Sequence, residues 1–333
     1  MENFDLWKDL LDYARWAPSP HNVQTWKIKL ISATEAELFY DPKRLLPDED
    51  PSGRFLMTGV GAFLEILSIA AKEKGYKVNI KFITDILDSN KDILTPLANL
   101  SLAATQERDN LDRELIKLRR TSRLAYENRL LDEHVIDELK TIAQNFGQTL
   151  TVSSDRVTVD WVLKLNRDTM FYDMNDDKAR NEVGHWARYS AKEAYEKKDG
   201  LWSYCMNTPS FIMYLFFHAR WIINLPGIYQ LVGKFYLNTT QTSTVAWLQG
   251  PFKTGDDWIN SGRMLARLWL TMTKNGIYLH PFGSVITNTA AHKRLREKFK
   301  VNEDINTMWL IMRLGYSKEP PRSVRLSLED ILI

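Results

Sequence analysis

Gly61-Ala-Phe-Leu-Glu-Ile-Leu-Ser-Ile-Ala-Ala-Lys-Glu-Lys-Gly75 lines up without a gap on Gly262-Arg-Met-Leu-Ala-Arg-Leu-Trp-Leu-Thr-Met-Thr-Lys-Asn-Gly276, at a constant offset of 262 − 61 = 201. Each stretch is apolar on more than one helical face and closes on a glycine suited to a helix C-terminus, so each predicts a central, buried helix. The spacing places these helices over 59–74 and 260–275. Upstream, Glu133 to Val152 resembles Asp9 to Leu30 at a smaller offset. The chain therefore reads as two related halves, 1–112 and 113–333, the second carrying extra sequence.

Around the first helix the pattern alternates between periods. Leu6 to Trp16 has helical spacing and stops at Ala17-Pro18-Ser19-Pro20, where two prolines forbid continuation. Trp26 to Ile31, Ala36 to Tyr40 and Val78 to Ile83 read as strands. The extra chain, about 155–244, is dense in aromatic residues, Trp161, Tyr189, Trp202, Tyr214 and Trp221 among them. An insertion of that kind is either a set of accessory core helices or a lid over a site. Its most apolar stretch, Phe211 to Val232, is interrupted by His218, Arg220, Asn224 and Pro226, which argues against a membrane span.

Composition narrows the function classes. The 333 residues are 44% hydrophobic and 26% charged, as in ordinary globular chains, and 44 basic against 42 acidic residues leave a net charge of +2. No one-sign field is available for nucleic acid. The single cysteine, Cys205, forms no internal disulfide, and the acidic first residues do not read as a secretory leader, so a cytoplasmic location is expected. Gly-x-Ser-x-Gly, Walker and Gly-x-Gly-x-x-Gly signatures are missing, and the six histidines lack metal-ligand spacing.

Two segments carry chemistry. Pro18-Ser-Pro-His-Asn22-Val-Gln24 offers a hydroxyl, two amides and backbone N–H groups at a helix–strand corner, although such residues also punctuate ordinary turns. Arg119-Arg-Thr121-Ser-Arg123 would present two guanidinium groups and a hydroxyl on one face of an extended segment, a phosphate cradle, although basic runs are often solvated faces.

Together they resemble one family. Pro18-Ser19-x-x-Asn22-x-Gln24-x-Trp26 and Arg119-x-Thr121-x-Arg123 are similar to the two signature motifs of the FMN-dependent nitroreductases, with Thr25 in place of the usual proline. In that family a homodimer takes one motif from each subunit; here each half retains what the other has lost. Gly276-Ile-x-x-x-Pro281-Phe282-Gly283 and the terminal Arg322-Ser-Val-Arg325 resemble two further family segments. The likeness, closest to the fused Acg-like branch, implies an α+β fold of two repeated halves. Their mixed, mainly antiparallel sheets would be flanked by helices and packed as an intramolecular pseudo-dimer.

The resemblance further implies one FMN site. It would be held by Pro18, Ser19, Asn22, Gln24, Arg119, Thr121, Arg123, Pro281, Phe282, Gly283 and Arg325, complete within a monomer. Hydride would pass from NAD(P)H through flavin N5 to a small-molecule acceptor such as a nitroaromatic or quinone, with no catalytic side chain and no metal required. The alternatives are a protein that sequesters FMN beneath a closed lid, and an adaptor that uses its basic segment and aromatic insertion to bind a protein or membrane surface.

Overall fold

The computed structural model describes residues 4–302 and 306–333. Helix α1 (Asp5–Ala14) buries Trp7, Leu10 and Leu11 and gives way to the proline loop, which feeds β1 (Trp26–Leu30). A short turn leads to β2 (Glu35–Tyr40); α2 (Arg54–Glu73), β3 (Tyr76–Phe82) and β4 (Thr95–Ala104) follow. The strands form one antiparallel sheet in the order β1-β2-β4-β3.

After the single turn α3 (Glu114–Leu118), the sequence of elements repeats with α4 (Glu133–Asn145) and β5 (Thr149–Ser153). Where the first half has its β1–β2 turn, the second inserts α5 (Arg156–Asp173), α6 (Asp177–His185), β6 (Ala187–Arg188), α7 (Ala191–Lys197) and β7 (Leu201–Trp202). The insertion continues through α8 (Ser210–His218), α9 (Arg220–Ile223) and α10 (Ile228–Thr239). The chain then resumes with β8 (Thr244–Gly250), α11 (Gly255–Lys274) and β9 (Tyr278–Pro281). Helices α12 (Ser284–Thr287) and α13 (Thr289–Phe299), strand β10 (Thr307–Gly315) and α14 (Leu328–Ile331) complete it. The second sheet has the order β5-β8-β10-β9, the same topology as the first. Among the described residues, parallel pairing is confined to β6–β7 and two isolated bridges, Ile28 with Leu332 and Thr121 with Leu279.

The two central helices obey the sequence offset at both ends, 255 − 54 = 201 and 274 − 73 = 201. Each begins five residues before its expected start. Asp50 Oδ2 accepts the N–H groups of Phe55 and Leu56, each at 2.9 Å, and Thr254 and Asp257 form a reciprocal cap on α11, so both helices are launched before their glycines. Gly75 and Gly276 adopt φ of 80° and 68°, the left-handed conformation that ends each helix.

Helices α2 and α11 cross at Gly61 and Gly262, and each half buries its own apolar cluster around one of them. Glu65, buried on α2, accepts from Arg263 and Arg267 of α11 at 2.8 and 2.5 Å. Among the described residues α2 alone is long and apolar enough to cross a membrane, and most of it is buried here as a core helix.

The C-terminal arm leaves β10 and crosses to the first half. Leu326 and Ile331 join the first core, and Ile333 N–H donates to Ile28 O at 2.9 Å, adding the arm to the edge of β1. This crossing carries Arg322 and Arg325 to the proline loop.

Candidate functional site

The loop after α1 is held in an unusual backbone conformation. His21, Asn22 and Gln24 have φ of 46°, 58° and 53°, a region that costs non-glycine residues about 1–2 kcal/mol each. Hydrogen bonds over-determine it: Ser19 Oγ accepts Gln24 N–H at 3.0 Å, and Gln24 Oε1 accepts Leu326 N–H at 2.8 Å. Gln24 Nε2 donates to Asn22 O and Lys198 O. Both ends of the Gln24 amide are thus occupied by the protein. Asn22 Nδ2 donates to Val324 O at 3.1 Å, while its buried Oδ1 has no partner. Pro18 lies on Gly59 of α2.

The arginine segment runs beside β9, through the Thr121–Leu279 bridge and a 3.3 Å bond from Ser122 N–H to Leu279 O. Arg120 and Ser122 turn toward the 317–320 segment, binding Pro320 O at 2.7 Å and Ser317 Oγ at 2.8 Å. Alternation leaves Arg119, Thr121 and Arg123 for the other face.

Arg119 packs its guanidinium 4.4 Å from the Trp269 ring centroid and donates to Trp16 O at 3.1 Å. Arg325 donates to Ser323 Oγ and Val324 O, and Arg322 lies 3.6 Å above Trp16. Among the described residues no carboxylate pairs with Arg119, Arg123 or Arg325, and the Nε of each is buried without a partner. Burial, with the Arg325 and Arg322 charges beside it, pulls the Arg119 guanidinium down to about 9; burial and Arg322 act similarly on Arg325, down to about 10. A cluster of enclosed, unpaired guanidinium groups suits a multiply charged anion, whose oxygens would satisfy these donors.

Of the candidate residues, the structure brings Ser19, Asn22, Gln24, Arg119 and Arg325 together around Trp16 and the C-terminal arm. Pro281, Phe282 and Gly283 connect only through β9. Pro281 pairs with Met312, and Phe282 turns into the core with its N–H already donated to Ile311 O at 2.8 Å. Gly283 faces open space, where a β-carbon would meet nothing within 4 Å.

Other residues complete the surroundings. The strap 198–207 is stapled to the loop by Gly200 N–H donating to Asn22 O at 3.3 Å. Its buried Asp199 accepts from Arg188 at 3.0 and 2.6 Å and from Arg44 at 3.1 Å, while Arg44 also donates to Val23 O. Farther along, Asn207 Nδ2 donates to Arg123 O at 3.2 Å. Cys205, buried on this strap, is close enough to feel Arg123 and Arg325, but burial dominates and pushes its thiol up to about 11.

Behind Arg123 lies Arg313, wholly buried. It is held by Gln241 O at 3.2 Å, by Ser122 O at 3.4 Å and by His280 Nδ1 at 3.3 Å, with its guanidinium 4.2 Å from the Tyr126 ring centroid. Burial, then Arg123 and Arg313, drives His280 far below its ordinary range, so the imidazole is neutral. The sequence held one signal for this group, an arginine inside the apolar run Met308 to Gly315. A cleft of about 390 Å³ lined by Lys43, Leu45, Lys178, Glu182, His185 and Trp186 shares no residue with this cluster.

No protein-family model matches the chain. Two relatives carry provisional names as NAD(P)H nitroreductases. PigM of Serratia sp. (strain ATCC 39006) is 23% identical over 313 residues, 88% of this chain and 84% of that protein. The Acg protein of Mycobacterium tuberculosis (strain ATCC 25618 / H37Rv) is 30% identical over 163 residues, 48% of this chain and 45% of that one. A solved FMN and NADPH-dependent nitroreductase, NfnB from sphigopyxis sp. strain HMH, matches 66% of this chain and 96% of its own, with 13% identity and a TM-score of 0.40. The chain is thus similar to PigM along most of both chains and to Acg over about half of each.

Proposed function

We propose that the chain is an FMN-dependent NAD(P)H oxidoreductase with one flavin site, formed where the proline loop and C-terminal arm meet the arginine segment. The observation that carries this reading is the set of enclosed guanidinium groups of Arg119, Arg123 and Arg325, without carboxylates and with buried, unpartnered Nε atoms. Residues 1–112 and 113–333 are then the two halves, with 155–244 as a lid.

In this reading Arg119, Thr121 and Arg325 would hold the phosphate, and the free Oδ1 of Asn22 would accept from a hydroxyl of the ribityl chain. Arg123, backed by Arg313 and neutral His280, supplies positive charge next to the ring. Bound FMN would supply redox chemistry between NAD(P)H and an acceptor, for which we propose a nitroaromatic, a quinone or a similar electron-poor molecule. The side chains bind, orient and exclude water; none need act as nucleophile.

Absorbance tests this directly. Protein titrated with FMN should gain flavin absorbance up to one equivalent per chain, bleach anaerobically with NADH or NADPH, and recover when the acceptor is added. Protein that stays colourless sinks the proposal. A second reading, sequestration of FMN, is favoured by the strap, which Asp199, Gln24 and Asn207 fix to both sides of the site. Bound flavin that neither nicotinamide bleaches would select it.

A further inference from the structure

Helices α8, α9 and α10 cap the insertion with their polarity reversed. Their inner side is anchored: Met213, Ile223 and Gly233 are buried, Arg220 donates to Phe171 O at 2.6 Å, and Tyr236 OH accepts from Asn166 Nδ2 at 2.5 Å. Their outer side is mainly apolar, with Asn224, Gln230, Lys234 and Asn238 the exposed polar residues among the aromatic and aliphatic ones on α9, α10 and the turn between them. Phe211 and Tyr214 are exposed one turn apart on α8, Leu231 and Phe235 one turn apart on α10, and Trp221 and Leu225 between them; Trp221 is 69% and Leu231 68% exposed.

Charge is segregated in the same way. Residues 155–199 contain ten Asp and Glu, whereas no Asp or Glu occurs from Gly200 to Gly255, where the charges are Arg220, Lys234 and Lys253. Arg220 is turned inward, so Lys234 is the exposed cation of the cap. Patches of this kind mark interaction surfaces. Aromatic side chains with polar tips, aliphatic neighbours, a lysine and no carboxylates make up the composition that lies in the headgroup region of a lipid leaflet. With 9, 4 and 12 residues, these helices are too short to span a bilayer, so they would lie along it.

We propose that the outer face of α8–α10 docks the protein on a phospholipid bilayer, with Trp221, Leu231 and Phe235 entering the headgroup boundary and Lys234 meeting anionic lipid. The inference is independent of the flavin reading, since it rests on exposed side chains of α8–α10 that are not among the candidate flavin-site residues.

Co-sedimentation of the full chain with phosphatidylcholine vesicles, with and without phosphatidylglycerol, tests it. Wild type should pellet with both and more strongly with the anionic vesicles. The variant combining W221S, L231S and F235S should partition at least tenfold less, and K234E should lose only the anionic increment. Wild type that stays in the supernatant with both compositions overturns the proposal. So does wild type of twice the chain mass at sedimentation equilibrium that the triple variant returns to one chain, for then a second copy covers the face. Should the triple variant not fold, a polarity-sensitive fluorophore on Leu231→Cys gives the same answer, because native Cys205 is buried with its thiol raised to about 11. A blue shift on adding vesicles supports docking, and an unchanged spectrum overturns it.

Discussion

Gly61 and Gly262 occupy equivalent positions in the two central helices, and each is pressed against the other's helix. A β-carbon on Gly61 would fall 2.1 Å from the carbonyl oxygen of Ile259, and one on Gly262 would fall 1.9 Å from that of Thr58. Thr58 and Ile259 are themselves separated by 259 − 58 = 201, so the contact is reciprocal, as across a two-fold axis between subunits.

The crossing fixes the sign of a glycine series. In an open helix, glycine to alanine stabilises by about 1 kcal/mol. At Gly61 or Gly262 the new carbon meets backbone that cannot step aside, so Gly61→Ala and Gly262→Ala should destabilise by about 3 kcal/mol. Gly59→Ala, whose β-carbon would make ordinary 3.5 Å contacts, should be neutral or stabilising. Urea unfolding of the three variants measures this, and equal behaviour would show the crossing to be loose.

The arginine cluster separates binding from stability. Arg325→Gln removes one of several mutually repelling cations, so the thermal midpoint of the flavin-free protein should hold or rise. Its FMN affinity should fall about 10–100-fold, the worth of a hydrogen bond to a charged group. Fluorescence quenching titrations give the affinity; a change under twofold would remove Arg325 from the site.

Asp199 is the pin of the strap. Asp199→Ala takes the carboxylate from buried Arg188 and leaves Arg44 only Asp41 and Val23 O, and should cost about 3 kcal/mol. It should also hasten FMN release, read by stopped-flow dilution, since the strap no longer braces the loop at Val23 and Asn22. Unfolding energy lost with no change in release would confine Asp199 to a structural role.

Asp173 supplies a pH signature. Burial, with Glu49 and Asp176 beside it, raises its carboxyl to about 6 against the hydrogen bond from Asn288. The folded state therefore holds a proton that the unfolded chain releases at lower pH. Stability from this group is full below about pH 4 and is lost as pH rises to 6. Asp173→Asn should raise stability at pH 7 by on the order of 1 kcal/mol, given partial exposure, with the gain gone at pH 4. Thermal melts at both values test it; a gain that persists at pH 4 would point to packing instead.

The repeat was legible because two helices buried on several faces must keep apolar residues in register, and the offset of 201 holds at their observed ends. Both helices start five residues before the ranges that their spacing suggests, because caps at Asp50 and Thr254 add a first turn that the apolar pattern does not mark. Arg119, Arg123 and Arg325 were visible as local motifs. Arg313 with His280, Asn207 with Arg123, and Asp199 with Arg44 were not, since those pairs are separated by dozens of residues and only the folded chain joins them. Gln24 was expected to face a ligand, but its amide is spent on Lys198 and Leu326, a use that depends on the insertion and the arm.

The matching strand orders of the two sheets carry a further consequence. In an assembly of identical subunits every substitution is installed twice, and a change that helps one site is forced upon its twin. Here the two sheets belong to one polypeptide, so each position is inherited once. The turn between β1 and β2 could stay short while its counterpart between β5 and β8 grew into a helical cap, each answering to its own selection.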